Sequence, residues 1–507
     1  MPLSKTARSV VWLPRILFLA VATACLSLYL RYIASILTFP YQWEPTDGDH
    51  LNFAHRIAEG LPVYLPLKSG QVLDIYTPLY HTLIAVLGGP HAGMILARLI
   101  AFTAWLLIPI GILFFYRNKW GIFYALIAAI FVWIPPEKFM LIYMVQVSPD
   151  ALMAFLFFAT LLTAEKCAEN ATASWWMWSS IGILGCLCFL AKQQGIIAFA
   201  VAGIYLLIRR TQLKPLAWTA CGFLLIFLVS SACLEMVNRG QYFYAIFIDL
   251  RHIMVVSRRL ACHRLAVFLF KENLFFFIGI CTSLGLVISN KIKLTIWHIS
   301  FFLHIPFLLA ILGNEGGGPN YLATFWITLV IIAIDTVWNC ANYSYIPPRN
   351  IRLPFFFSQL LLLSLFCSEA FGMRTAYQDL NTVGRPSRQD ALNTERYSKE
   401  VASLLAGKHD ARILANRNIG VFVAHNENIT DEGGATFQYA WAHPDRLDQN
   451  IILNAIDEKK YDFIITGIQK YPPNVEKALE KNYKVALSGQ INLIFKNTGL
   501  QSVYVPK

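Results

Sequence analysis

The sequence has little charge. Only 14% of its 507 residues are charged, while 56% are hydrophobic, whereas soluble domains carry charge at about 25% of their positions. Apolar runs long enough to cross a bilayer recur between residues 16 and 371. This balance excludes an ordinary soluble protein and predicts an α-helical polytopic membrane protein.

Cysteine is also absent from the last 140 residues, where a disulfide-stabilised outer domain would contain it. No cysteine follows Cys367, and most of the ten lie within apolar runs, so no disulfide framework can be argued. The first apolar run follows Lys5, Arg8 and Arg15 and lacks a convincing small-residue cleavage site. We therefore expect an uncleaved first span.

The excess of basic residues follows the membrane pattern. The net charge is +12, but most of the excess sits in short clusters between apolar runs, where the positive-inside bias puts it. A nucleic-acid partner is therefore not expected. The apolar runs predict about 11 spans, at 16–38, 93–116, 121–136, 149–165, 174–191, 195–208, 216–236, 264–289, 295–313, 321–337 and 354–371.

The basic clusters fix an expected orientation. Those at 117–119, 166, 209–210, 291–293 and 349–352 fall on the same side as the N-terminus, which predicts a cytoplasmic N-terminus in the cytoplasmic (inner) membrane. An odd number of spans then places the C-terminal domain outside. A transmembrane domain over 1–372 and an extracytoplasmic domain over 373–507 are the expected division.

The first outer loop, 39–92, is expected to carry two helices that do not cross. Residues 78–88 are apolar but too short to span, so they predict a membrane-surface helix. Leu51, Ala54 and Ala58 repeat at helical spacing and predict a second helix over 48–60. Asp47 is placed to cap this helix and Gly60 to end it.

The last part of the chain has the pattern of a small α/β domain. Its composition becomes soluble from about Ser387. Helices are predicted at 389–405, 445–459 and 473–481, and strands at 412–415, 420–424, 461–467, 483–488 and 491–496.

Polar side chains gather on the predicted outer face. The first loop holds Glu44, Asp47 and Asp49, and Asp150 follows a Ser-Pro pair at the start of a span. Lys192 opens another outer turn. A third outer turn, 314–321, is glycine-rich. Because charge at the membrane is costly and usually functional, these carboxylates, amides and lysine suit acid–base chemistry on a headgroup.

These segments resemble a known family. The run from Glu44 to Tyr64, the segment Tyr76–Tyr80, the Ser148-Pro149-Asp150 triplet, the Lys192–Gly195 turn and the pair Asn320–Tyr321 look like corresponding pieces of GT-C fold glycosyltransferases. The likeness is greatest to the branch with protein mannosyltransferases and the lipid A aminoarabinose transferase. It implies transfer of a sugar, with inversion, from a polyprenyl-phosphate carrier to a glycan, lipid or protein acceptor outside the cytoplasm.

The resemblance also implies roles for individual residues. A first-loop carboxylate acts as general base; Asp47 is the first choice, and Asp49 follows because the acids here are spaced where the family often has an adjacent pair. Asp150 would orient the acceptor or share the site, and Lys192 with Gln193 would hold the phosphate. The remaining substrate-binding candidates are Glu44, His50, Arg56, Tyr76, Asn320 and Tyr321. No metal ligand is assigned, and the cofactor question stays open.

Simpler interpretations stand beside these. Asp47 could serve only as a helix cap, Asp150 only as a first-turn acid, and Lys192 only as an interfacial snorkelling residue. The histidines of the first loop are expected at the interface more than at a metal. Arg258 and Arg259, on the outer side, are candidates for lipid phosphate contact.

Two other classes of protein compete with an enzyme. A transporter or lipid flippase would place ionisable residues and broken helices near the bilayer midplane and carry an internal repeat. A receptor or assembly protein would use the outer domain for binding and leave the carboxylates unexplained.

Overall fold

The computed structural model is helical over most of its length. It describes 29–44, 46–65, 76–135, 138–170, 172–209, 213–249, 257–313, 318–342, 386–408, 410–415, 429–431, 450–466, 473–492 and 498–507, with a few single positions elsewhere. The predicted span at 354–371 and the predicted strand at 420–424 lie outside the described residues.

A helix through 29–37 is followed by two short loop helices and then by the bundle. The loop helices are α1 (Asp47–Ala58) and α2 (Leu79–Gly88). The bundle helices are α3 (Met94–Trp133), α4 (Lys138–Val145), α5 (Asp150–Glu169), α6 (Trp175–Ala191), α7 (Ile196–Ile208), α8 (Leu213–Val237), α9 (Arg258–Ala266), α10 (Leu274–Ile288), α11 (Ile296–Ile311) and α12 (Ala323–Asn342).

The helices follow the predicted apolar runs, but the count of 11 spans is not confirmed. Four described helices are long and apolar enough to cross a membrane, or five if 258–272 and 274–288, bent by 91°, form one span. Helix α3 covers two predicted spans, with a break at Gly121 (φ 77°). Helices α6 and α11 are shorter. Eleven spans therefore stay a prediction.

Helices α1 and α2 agree closely with the predicted loop helices. Helix α1 ends at Ala58, and Gly60 follows with a φ of +71°, a conformation that glycine adopts readily. The two helices pack on each other through Leu51, Ala54, Tyr80 and Ile84. Leu51 and Ala54, which gave α1 its predicted helical period, are buried, whereas Ala58 is half-buried.

Close backbone contact holds two bundle helices together. A Cβ on Gly182 of α6 would lie 1.9 Å from the Thr219 carbonyl oxygen of α8, and a Cβ on Gly222 would lie 2.2 Å from that of Ser179. Only glycine allows this approach. The crossing fixes α6, whose C-terminal end leads into the Lys192 turn.

The C-terminal part contains a five-stranded mixed sheet. Helix α13 (Arg388–Leu405) precedes β1 (Ile413–Ala415), β2 (Ile429–Asp431), α14 (Asn450–Asp457), β3 (Phe463–Thr466), α15 (Pro473–Asn482), β4 (Tyr483–Asn492) and β5 (Thr498–Pro506). The strand order is β2-β1-β3-β5-β4. Strand β1 is parallel to β2 and β3, whereas β5 is antiparallel to β3 and β4.

The α/β class expected for this part matches these elements, but two strand predictions were wrong. The predicted strands at 483–488 and 491–496 are one strand, β4, as far as Asn492, and β5 begins at Thr498. Gly489 lies within β4, and a Cβ there would meet the Tyr397 ring of α13 at 2.1 Å, so glycine allows the helix to pack on the strand.

Helix α13 also contacts the first loop. Ala391 packs against the cluster that contains Tyr32 and Trp43, and the charges of Glu395 and Lys399 act on Tyr41. The helix that leads into the C-terminal sheet therefore lies at the same end of the bundle as the loop.

Candidate active site

A buried arginine holds the first carboxylate of α1. Arg98 Nη2, on α3, lies 2.6 Å from Asp47 Oδ2, and both side chains are fully buried. The same oxygen accepts hydrogen bonds from the N–H groups of Trp43 and Glu44 at 3.1 and 3.2 Å. Asp47 Oδ1 accepts one from the Val147 N–H at 3.0 Å. An ionised carboxylate offers about four lone-pair sites, two on each oxygen, so Oδ2 is fully occupied and Oδ1 accepts one bond.

Asp47 therefore has a different environment from the one expected. Asp47 is fully buried, so in this conformation its carboxylate is closed to the acceptor hydroxyl that a general base must reach. The capping role expected for Asp47 is wrong, because Thr46 holds the N-cap position and Asp47 binds N–H groups that precede the helix. Arg98 also donates to the carbonyl of Ile36 at the end of the first helix and to those of Phe39 and Tyr41 in the loop. The pair anchors the loop to α3.

A second buried ion pair joins α5 to the turn after α6. Lys192 Nζ lies 2.6 Å from Asp150 Oδ1, and the two residues are 1% and 2% exposed. The Ser148 hydroxyl donates to the other oxygen of Asp150. Because the ammonium group is buried, the snorkelling interpretation of Lys192 is wrong.

The backbone of the Lys192 turn is tightly constrained. The Lys192 N–H donates to the Cys188 carbonyl at 3.2 Å, and the Gly195 N–H donates to the Lys192 carbonyl at 2.7 Å. A Cβ on Gly195 would lie 2.1 Å from the Cys188 oxygen, so the turn needs glycine there. The Thr77 hydroxyl donates to the Phe189 carbonyl at 2.8 Å and joins the first loop to the same helix end.

Two tyrosine rings flank the lysine. Lys192 Nζ lies 5.4 Å from the ring centroid of Tyr76 and 4.9 Å from that of Tyr321, distances at which cation–π attraction operates. The Gln194 side chain and the charge of Arg264 both act on the Tyr321 hydroxyl. Only one of the three ammonium protons is needed for Asp150, so the lysine keeps donors for an anion.

A pair of buried histidines adjoins this cluster. His50 Nδ1 and His81 Nε2 are 2.9 Å apart, and the His50 ring lies 5.1 Å from that of Tyr76. Burial, with a smaller contribution from Lys192, lowers the pKa of His50 to about 3. Burial likewise lowers the pKa of His81 well below its usual range. Both rings lie inside the protein, and the lowered pKa values favour the neutral form of each.

The other predicted residues have varied surroundings. Glu44 Oε2 accepts bonds from the Thr46 N–H and hydroxyl. Arg56, two turns beyond Asp49 on α1, donates to the Pro62 carbonyl. Asp49 and Gln193 are half-buried. Asn320 is 7% exposed and adjoins Tyr321 in a 3₁₀ turn. Among the described residues, no three His, Cys, Asp or Glu side chains group around one point as metal ligands.

The structure thus brings Asp150, Lys192, Tyr76, Tyr321 and His50 together. Four other residues with a part in this region were not predicted: Arg98, Gln146, Gln194 and Arg264. A signal existed for Arg98, since it is a lone cation inside an apolar run. Arg264 lies on the same short helix as the predicted Arg258 and Arg259, which are exposed.

Comparison with known proteins identifies the fold. No family model and no curated protein matches the chain. Among solved structures, ArnT from Cupriavidus metallidurans bound to undecaprenyl phosphate has a TM-score of 0.62 at 15% identity, over 96% of this chain and 97% of that one. Its apo form gives 0.60 at 14%, over 98% of each chain.

A second group of structures is more distant. The oligosaccharyltransferase AglB of Archaeoglobus fulgidus, in complex with an inhibitory peptide and a dolichol-phosphate, has a TM-score of 0.53 at 11% identity. The match covers 90% of this chain and 70% of that one. The chain therefore has the fold of the GT-C membrane glycosyltransferases, and the resemblance predicted from its motifs is confirmed at the level of the fold.

Proposed function

We propose that this protein is a membrane glycosyltransferase that moves a sugar from a polyprenyl-phosphate carrier to an acceptor hydroxyl. The observation that carries the proposal is the buried Lys192–Asp150 pair between two tyrosine rings. A cation held in this way, away from water, suits a lipid phosphate, because its remaining donors are preorganised for the charge that develops there. The fold shared with ArnT, which was solved with undecaprenyl phosphate, supports the same ligand class.

The reaction needs one bond made and one broken. The acceptor oxygen bonds to the anomeric carbon while the bond from that carbon to the phosphate oxygen breaks. The electron pair leaves with the polyprenyl phosphate, and a carboxylate takes the hydroxyl proton. Attack opposite to the leaving phosphate inverts the anomeric centre. Lys192 and Arg264 would stabilise the departing phosphate, with Gln193 beside them.

The geometry of the site changes the choice of the residue proposed as general base. Asp47 is fully buried, and its carboxylate is bound by Arg98 and three backbone N–H groups, which supports a positioning role. Asp49 lies two residues beyond Asp47 on α1 and is half-buried. It is therefore proposed as the general base. Asp150 would hold the Lys192 ammonium group and orient the acceptor.

The arrangement in the membrane belongs to the same proposal. The N-terminus is proposed to be cytoplasmic, with the first loop, the site and the C-terminal domain outside. Ala391 packs against the cluster that contains Tyr32 and Trp43, which supports the placement of the loop and the domain on the same side of the membrane. The acceptor would then be a glycan, lipid or protein of the cell envelope.

A turnover assay tests the proposal. The purified protein in liposomes is supplied with labelled polyprenyl-phosphate sugars, extracted from cells that lack it, and with envelope acceptors. We expect loss of the lipid-linked label and formation of free polyprenyl phosphate. Removal of a general base lowers turnover by roughly 10²–10⁴-fold, so Asp49→Asn should be nearly inactive but normally folded.

Asp47→Asn is the matched variant. It should lose thermal stability together with activity, because it weakens the anchor to Arg98. Lipid-linked sugar that stays intact with the wild-type protein would contradict the transferase. Full activity of Asp49→Asn would show that another carboxylate acts as the general base.

A further inference from the structure

Gln146 is buried in an unusual way. It is 1% exposed, and within the described part of the chain neither its amide nitrogen nor its amide oxygen has a hydrogen-bond partner. Burial of a polar group without a partner is costly. Most such groups in native proteins are satisfied, and the exceptions call for a ligand or bound water as explanation.

Gln146 directly precedes two residues that bond to the two ion pairs of the site. Its own N–H continues helix α4 by donating to the Ile142 carbonyl at 3.0 Å. The next residue, Val147, donates its N–H to Asp47, and Ser148 donates its hydroxyl to Asp150. The chain immediately after Gln146 is therefore fixed to the catalytic region.

A second unpartnered amide oxygen lies on the 3₁₀ turn that packs against α4. Asn320 Oδ1 is buried and has no partner in the described structure. Tyr143 is one turn before Gln146 on the same helix face, and it lies 3.5 Å from the position that a Cβ on Gly318 would take. That Cβ would also be 2.6 Å from Asn320 Oδ1. Glycine at 318 therefore leaves room for the Asn320 amide.

The chemistry of these atoms defines the ligand. Unpartnered oxygens on Gln146 and Asn320 need hydrogen-bond donors, and the Gln146 nitrogen needs an acceptor. A phosphate supplies acceptors only. Sugar hydroxyl groups supply both, and the neighbouring Tyr321 ring lies over Lys192, where the proposed function puts the phosphate of the donor.

We infer that Gln146 and Asn320 form the subsite that binds hydroxyl groups of the donor sugar. The inference rests on the proposed function and adds to it the residues that hydrogen-bond the sugar. It also explains why the Gln146 amide and the Asn320 amide oxygen are buried without partners in the described part of the chain: they are satisfied when the donor is bound.

The test measures activity and stability of Gln146→Leu in the reconstituted protein. Loss of a hydrogen bond that forms only to the sugar should raise the KM for the lipid-linked donor about tenfold, with the acceptor KM unchanged. The melting temperature without ligand should rise by about 2 °C or more, because an unpaired buried amide is removed. Affinity for undecaprenyl phosphate, which has no sugar, should stay at the wild-type value.

Thr328→Val is the matched control. The Thr328 hydroxyl is buried but bonded to Ser300 and to the Thr324 carbonyl, so this variant should lose stability and keep the donor KM. An unchanged donor KM in Gln146→Leu, a lower melting temperature, or a change confined to the acceptor KM would overturn the inference. A wild-type protein without turnover would reject the proposed function first and this inference with it.

Discussion

At the scale of single residues, the site depends on which charges are paired. The sequence predicted the carboxylates, the lysine and the tyrosines, because polar groups between apolar runs are conspicuous. It could not predict their partners. Asp47 and Arg98 are 51 positions apart, and Asp150 and Lys192 are 42 apart, and no local pattern encodes such pairing. The change of the proposed base from Asp47 to Asp49 follows from this.

The Lys192–Asp150 pair gives the first residue-scale prediction. Lys192→Met leaves Asp150 buried without a counter-charge, a loss expected to cost about 3–5 kcal/mol of stability. Lys192→Met with Asp150→Leu should recover most of that loss, because neither charge remains, but the double variant should stay inactive. Thermal unfolding in detergent with a parallel turnover assay measures both. A Lys192→Met protein as stable as the wild type would argue against the buried pair.

The histidine pair gives a prediction about pH. The pKa of His50 is about 3 in the folded protein and near 6.5 in an unfolded chain. As the pH falls below about 6.5, the unfolded chain gains a proton that the folded protein does not. Stability should therefore fall progressively toward the folded pKa, by about 2 kcal/mol at pH 5. His81, Lys192, Tyr76 and Tyr80 surround this ring.

Melting temperatures between pH 8 and pH 5 measure the effect. His50→Gln should show a shallower decline than the wild type. His91→Gln, at an exposed position, should decline in parallel with the wild type. Identical slopes for all three proteins would show that His50 is not buried as a neutral group.

At the scale of elements, apolar periodicity predicted the helices well and the strands less well. Helices α1 and α2 begin and end within a residue or two of the predicted bounds, and Leu51, Ala54, Tyr80 and Ile84 are buried in one cluster. Strand β5 was missed because its pairing with β3 and β4 is a tertiary property. The unpartnered amide of Gln146 is likewise visible only in the folded chain.

The Lys192 turn gives an element-scale prediction. Gly195→Ala would place a methyl group 2.1 Å from the Cys188 carbonyl oxygen, so the turn must shift and carry Lys192 with it. We expect a lower melting temperature and at least tenfold weaker turnover, since a shift of about 1 Å can cost 10²-fold. Gly203→Ala in α7, where a Cβ has nothing within 4 Å, should be neutral or stabilising. Equal behaviour of the two variants would contradict this account of the turn.

At the scale of the whole molecule, two polar ends of the bundle are distinct. The site occupies the end with the first loop and α13. At the other end of α5, Glu165 accepts a hydrogen bond from Tyr116, and Asp335 of α12 pairs with Lys119. The overall fold was predictable from ordered motifs, whereas the span count and the membrane orientation stay predictions.

Labelling tests that orientation. In a background without native cysteines, Ser488→Cys, exposed on β4, should react with an impermeant thiol reagent in intact cells. Asn118→Cys, exposed between the two halves of α3, should react only after lysis. The reverse pattern, or labelling of both in intact cells, would contradict a cytoplasmic N-terminus with an outer C-terminal domain.

The central claim is that the buried lysine receives a lipid phosphate. An experimental structure with saturating undecaprenyl phosphate measures this directly. We predict phosphate density about 3 Å from Lys192 Nζ, with the ion pair to Asp150 retained. Phosphate bound at the other end, against Lys119, or an unoccupied Lys192 turn at saturating lipid, would contradict the account.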